Sequence, residues 1–497
     1  MLTSTITKAE ALLASGQATQ ALALTAPLAE AMPSVDLLSV HAQALKALGR
    51  GEEALAWDRR SVARFPAASV AWHNLAATLG DLGHGAEAAE AAHRAMALGL
   101  DAAQTWLVLA RALASVGETA QAEVAFRQAI RRAPQDAVAP RELAELLWTA
   151  RADLDGAVEA LLAAGQAGVA PTPLILKIAN LLQAAGQGDE AIDHLDAAAH
   201  AHRGDTPLAL ALADALLRSG EAERALAAMD LINPAHEGSP AVVAERAWIE
   251  TALDRGPMAL DSVTRALAAA PGSQSLLNAR ATAARWRDDP TAAGLEAYDD
   301  LVAEFVIETP PGWADLDAYL GDLAAAIARL HDNRGHPTEQ SLQGGSQTTF
   351  RLTGHPDPAI QAFFRAIDGP LRAHMAKLGT GEDPVRRRNT GAYRIAGAWS
   401  VMLRPGDFHR DHIHTDGWLS SAFYIETPDA ALARPGREGW LRFGQPPFPL
   451  RTPQPAVRHV RPQRGKLVLF PSYLWHGTEP FTTDERRMTI AFDVAPA

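Results

Sequence analysis

The chain has 497 residues, 48% of them hydrophobic, with 45 Lys+Arg against 58 Asp+Glu for a formal net charge of −13, and no cysteine. That length exceeds one hydrophobic core, so two or more units are expected, and any metal must be held by His, Asp or Glu because thiolate and iron–sulfur sites are excluded. The acidic balance argues against a nucleic-acid partner. No apolar run approaches the ~18 residues of a membrane helix. Residues 1–13, with Lys8 and Glu10, hold no apolar run followed by a small-residue cleavage site, so secretion is not expected. A cytoplasmic protein without a membrane partner is expected.

Along the first three hundred residues, glycines after apolar helical stretches recur at Gly49, Gly83 and Gly117, at intervals of 34, with Gly16 lying 33 residues before Gly49. The register runs through Arg151 and, after one extra residue, reaches Gly186 and Gly220. Such a period predicts stacked helical hairpins. Around Gly117 lie Trp106, Leu109, Ala110, Ala122, Phe126, Ala129 and Pro134. Trp72, Leu75, Ala76, Leu79, Ala88 and Ala95 repeat the frame earlier, and Pro66 and Pro271 fill the terminal proline slot of other copies.

This pattern resembles the tetratricopeptide repeat over roughly residues 5–305, in about eight copies. Alanines let paired helices approach while Trp, Leu and Phe fill the gap to the next hairpin, so Trp72 and Trp106 are expected in the core. Segment 150–156 lacks its glycine, and repeats after Asp230 look irregular. A stack of this kind offers a groove for a protein or peptide partner. It could instead only dimerise or stiffen the chain.

The composition changes at 308–313 (Glu-Thr-Pro-Pro-Gly-Trp), which divides an N-terminal α-solenoid, 1–307, from a second domain, 308–497. Helices are expected over 315–330 and 358–378. Short alternating runs at 398–403, 420–425, 440–443, 466–470 and 488–494, separated by Gly and Pro, predict an antiparallel sandwich or barrel.

Nine of the 17 histidines lie between His331 and His476. On a strand, residues two apart share a face, so His412, His414 and Asp416 can point together. His476, after the buried run 466–470 and a turn, can supply a further ligand. Eleven residues later, Arg487, Thr489 and Ala491 share a face, and a fixed guanidinium beside a hydroxyl suits a small carboxylate. A lone His355 or His459 is better explained as structural. Trp418 and Trp475 either shield a pocket or pack a rim, and 428–455 is either a substrate-facing loop or a plain connection.

The order His-x-His/Asp, about 60 residues, His, then Arg-x-Thr resembles the iron(II)/2-oxoglutarate-dependent oxygenases. His412-x-His414 followed by residues 419–424 (Leu-Ser-Ser-Ala-Phe-Tyr), with Phe470-Pro-Ser-x-x-x-His476, is similar to a bacterial and phage group of that superfamily. The likeness covers roughly 340–494. It implies a double-stranded β-helix (jelly-roll) domain, Fe(II) and the co-substrate 2-oxoglutarate, with Arg487 gripping the far carboxylate and Thr489 adding a hydrogen bond. It also implies oxidative decarboxylation to succinate and CO2 coupled to hydroxylation of a C–H bond.

The usual His-x-Asp…His set is not reproduced uniquely. His409/Asp411, His412/His414 and His414/Asp416 compete as the paired ligands. Gly406, six residues before His412, favours His412, His414 and His476 by analogy with related prolyl hydroxylases. Asp416 remains the alternative ligand, on the ground that a carboxylate lowers the charge of the iron, although Asp416-Gly417 also reads as a turn. The expected function is a 2-oxoglutarate-dependent hydroxylase acting on a protein or peptide recruited by the repeats. A non-catalytic scaffold with a degenerate barrel, or a cupin-like metalloenzyme using oxygen alone, are the alternatives.

Overall fold

The computed structural model describes residues 2–286, 294–331, 337–338, 340–348 and 352–497. Residues 287–293, inside the expected repeat span, lie outside the described residues. The described chain forms two compact units. One holds the described residues up to Leu147 together with 162–169 and 352–357; the other holds 148–161, the described residues from 170 to 348, and 358–497. No helix among the described residues is long and apolar enough to cross a membrane.

Both units contain helical hairpins of tetratricopeptide type. Ala103–Ser115 and Thr119–Arg132 illustrate the unit. Between them Gly117 has φ +79°, its amide donates to Ala114, and that of Glu118 donates to Leu113 at 2.9 Å. These bonds satisfy carbonyls that the helix end leaves free, and glycine enters the left-handed region without a Cβ penalty. The same handedness recurs at Gly16, Gly49, Gly83, Gly186 and Gly220.

Two other residues take that conformation and keep the period: Ala152 (φ +55°) and Asp254 (φ +60°). Ala152 stands 34 residues before Gly186, so segment 150–156 is an intact turn with a substituted residue. Asp254 stands 34 after Gly220 and joins Pro240–Ala252 to Gly256–Ala269, helices of ordinary length. The irregularity near Asp230 is local. Helix Ala222–Ala228 is cut to seven residues by the 3-10 turns Met229–Leu231 and Pro234–His236.

Leu109, Ala110, Ala122, Phe126 and Ala129 are buried as expected. Trp72 and Trp106 are not in the core but half-buried. Each indole N–H turns to the segment before its helix, Trp72 to the Pro66 carbonyl at 3.0 Å and Trp106 to Asp101 at 2.7 Å. An indole has both an apolar body and a donor to satisfy.

The strands, all within the second unit, are β1 (Ala303–Val306), β2 (Leu342–Gln343), β3 (Ser346–Gln347), β4 (Tyr393–Leu403), β5 (Phe408–His409), β6 (Leu419–Glu426), β7 (Leu441–Phe443), β8 (Arg458–Val460), β9 (Lys466–Pro471), β10 (His476–Thr478) and β11 (Arg487–Pro496). They build a six-stranded sheet, β1-β9-β6-β11-β4-β3, a three-stranded sheet, β10-β7-β8, and the pair β2-β5. All pairings are antiparallel. Strand β1 precedes the Pro-Pro-Gly break at 308–313 and pairs with β9.

Phe443 of β7 meets Phe470 of β9 at 5.0 Å between ring centres, so the two larger sheets face each other. On the opposite face of the six-stranded sheet, Phe423 and Phe492 pack against Phe363 of helix Pro358–Ala366. The helix expected over 358–378 is two, Pro358–Ala366 and Asp368–Leu378. Pro370 explains the break, because its ring clashes with the carbonyl four residues earlier.

Candidate metal centre

His476 opens β10 and forms a bridge with His412. The His412 amide donates to the His476 carbonyl at 3.0 Å and the His476 amide returns a bond at 3.1 Å. Residues exchanging both bonds project side chains to the same face. His414, two residues on, shares that face and is anchored by its amide to the Ser472 carbonyl at 2.9 Å. One ring nitrogen from each of His412, His414 and His476 lies within 4.8 Å of the others, an arrangement that could hold a metal ion.

The remaining ring nitrogens are all engaged. Nδ1 of His412 donates to the Arg410 carbonyl at 2.8 Å and Nδ1 of His476 to the Leu474 carbonyl at 2.9 Å. Nδ1 of His414 lies 2.7 and 2.8 Å from the two oxygens of Asp493. Each Nδ1 thus carries the proton, leaving the Nε2 lone pairs turned inward. The Nε2 atoms of His412 and His414 are only 3.2 Å apart. Two lone pairs repel at that distance unless a proton or a cation stands between them. Burial pushes the pKa of His412 and of His476 well below the usual imidazole value, which favours the neutral, ligating form.

The other expected groups sit differently. Asp416 is exposed and is not part of the converging group. Asp411 is buried and bound to Arg442 at 2.7 Å. Nδ1 of His409 contacts the Ser341 hydroxyl at 2.9 Å, and burial lowers its pKa to about 3. Beside these residues is a cavity of about 320 Å³ whose lining includes Arg410, Asp411, Arg442 and Phe448.

Arg487 and Thr489 are both buried. The guanidinium lies over the Tyr424 ring at 5.0 Å, its charge is felt at His409, and its Nε has no hydrogen-bond partner among the described residues. A buried donor without an acceptor costs about 1–3 kcal/mol, so an anionic ligand would be strongly received here.

Sequence reasoning passed over Asp493, although the alternation that aligns Arg487, Thr489 and Ala491 also reaches it. Its carboxylate accepts from the Ser420 hydroxyl at 2.7 Å, and Ser420 meets Ser472 at 2.9 Å. Ser341, 3.2 Å from Nε2 of His412, carries no signal of its own in the sequence.

The domain around this centre has a counterpart among known families. Residues 397–493 match the family described as "Putative 2OG-Fe(II) oxygenase". That span includes His412, His414, His476, Arg487 and Asp493. Residues 182–249 match the tetratricopeptide repeat. No curated protein matches the chain.

Among solved structures, similarity is found to a MamA RS-1 ArsTM double mutant (17% identity, 32% of this chain and 90% of that one, TM-score 0.29). The APC/C hetero-tetramer Cut9–Hcn1 follows at 18% identity, 56% and 54% coverage and TM-score 0.31. YrrB, described as a TPR protein with an unusual peptide-binding site, is 19% identical over 39% of this chain and 98% of its own, with TM-score 0.27.

Proposed function

We propose that the protein is an iron(II)- and 2-oxoglutarate-dependent dioxygenase that hydroxylates a protein or peptide brought to it by the repeats. The observation that carries this reading is the inward convergence of three imidazoles, together with a buried Arg487 whose Nε has no hydrogen-bond partner among the described residues. Three ligands on one side would leave positions open for co-substrate and oxygen. Iron(II), when bound, supplies oxygen activation coupled to decarboxylation of 2-oxoglutarate.

The chain's own groups do the rest. His412, His414 and His476 hold the metal, with Asp493 and the Arg410 and Leu474 carbonyls fixing their rings. Arg487 pairs with the distal carboxylate of 2-oxoglutarate and Thr489 adds a hydrogen bond. The Phe470 ring, 4.6 Å from that of His476, keeps water from that side. No side-chain acid or base is needed. The test is conversion of 2-oxoglutarate to succinate, which should require Fe(II) and vanish in His476→Ala; undiminished turnover in that variant removes His476 from the ligand set.

One observation favours a second reading. The converging group contains no carboxylate, so a bound divalent ion keeps its full charge, as suits an oxygen-using metalloenzyme that dispenses with 2-oxoglutarate. Arg487→Ala separates the two, because only the first requires that change to weaken 2-oxoglutarate binding.

A further inference from the structure

The turn that presents His476 is held from outside the barrel. It occupies 472–475, between β9 and β10. Facing it is the last described repeat helix, Gln274–Trp286, with Asn278 and Thr282 one turn apart and both almost fully buried. Nδ2 of Asn278 donates to the Tyr473 carbonyl at 2.8 Å. The indole N–H of Trp475 donates to the Thr282 hydroxyl at 3.0 Å.

The contact is braced on both sides. Oδ1 of Asn278 accepts from the Trp248 indole at 2.9 Å, and the Trp248 and Trp475 rings meet at 5.4 Å. The Tyr473 hydroxyl donates to the Leu295 carbonyl at 2.6 Å. Trp475 and Phe448 share one apolar cluster with the repeat residues Leu212, Leu216 and Ile249. The same helix also binds the loop after β7, through Gln454 to the Thr282 carbonyl at 3.2 Å.

We propose that Asn278 and Thr282 are positioning residues of the metal centre: the repeat helix holds the turn whose Leu474 carbonyl aims the His476 ring. Tyr473 and Trp475 flank Leu474, so loosening either lets the acceptor of the His476 Nδ1 proton move. Groups outside the ligand shell that orient a ligand set metal affinity, and here they come from the repeats. The inference rests on His476 being a ligand, as proposed above.

Cobalt(II) titration of the full-length, metal-stripped protein, followed by visible absorption and calorimetry, tests it. Thr282→Val removes the acceptor at nearly constant volume and should weaken cobalt binding about tenfold and alter the absorption band, while Thr282→Ser should restore both. Asn278→Ala should act in the same direction. Thr251→Ala is the stability control, since among the described residues that hydroxyl bonds only the Ala247 carbonyl of its own helix; it should lower Tm without changing cobalt affinity. If Thr282→Val does not fold, Trp475→Phe breaks the same bond from the other side. A wild-type protein that binds no cobalt overturns the metal reading itself. Wild-type binding matched by Thr282→Val or Trp475→Phe overturns this inference alone.

Discussion

Nδ1 of His414 contacts both carboxylate oxygens of Asp493, six residues beyond Arg487 on the same face of β11. One strand therefore carries the group that orients a metal-facing imidazole and the guanidinium that faces an anion. The carboxylate also lends negative charge, through the imidazole, to a group that has none of its own.

Asp493→Ala should weaken binding of a divalent metal by about 10–100-fold, the usual consequence of losing a carboxylate behind a ligating histidine. Asp493→Asn should do less, because the amide oxygen still accepts from Nδ1. Cobalt(II) titration at neutral pH measures both, and equal affinity in Asp493→Ala and the wild type would show that the pair is only structural.

Arg487→Ala should raise the Kd for 2-oxoglutarate by at least about tenfold, since hydrogen bonds to charged groups contribute about 1.5–3 kcal/mol. Arg487→Lys should fall between, keeping the charge without the planar fork. Calorimetry with 2-oxoglutarate and Mn(II) checks this, and metal affinity without 2-oxoglutarate should hardly change.

Ala152→Gly should stabilise the protein by about 1 kcal/mol, because Ala152 sits at φ +55°, where a Cβ is costly. The reciprocal change Gly117→Ala should cost a similar amount. Urea unfolding with both variants decides the matter, and a neutral Ala152→Gly would mean that the turn has relaxed around alanine.

His331 and His374 are buried and uncharged, with pKa values lowered by burial to about 4. The unfolded imidazoles bind protons near pH 6.5, so between pH 6.5 and 4 the unfolded state holds more protons and stability falls as pH falls. Each could remove up to about 3 kcal/mol across that window, and nothing above it. His331 donates or accepts at Ser346 and Ser400 at 2.8 and 2.7 Å. Neither ring nitrogen of His374 has a hydrogen-bond partner among the described residues, so His374→Leu should flatten the acid limb of an unfolding titration at little cost near pH 8.

Strands β4, β6, β7, β9 and β11 were legible as alternating runs, but β2, β3, β5, β8 and β10 were not. Two or three residues are too few to display a period of two, and the three of β7 are legible only with Trp440 ahead of them. Strand β1 was hidden because it follows directly on the helical region. The left-handed turns at Ala152 and Asp254 escaped notice because only glycine advertises that conformation in a sequence. Tyr424 closes the motif at 419–424 and Asp493 falls in the alternating run 488–494, yet their roles depend on which strands pair with β11.

Periodicity in the chain was enough to determine helical hairpins followed by an antiparallel β domain, and residue spacing was enough to place His412 with His414 and Arg487 with Thr489. Those relations are local, set by the repeat of one helix or strand. Which imidazoles meet was decided by the tertiary structure, through the reciprocal bonds joining His412 to His476, sixty-four residues apart. The same holds for the seat of Asp493 behind His414 and of Asn278 beneath the His476 turn. Contacts between distant segments depend on how whole elements pack, and no short stretch of sequence carries that information.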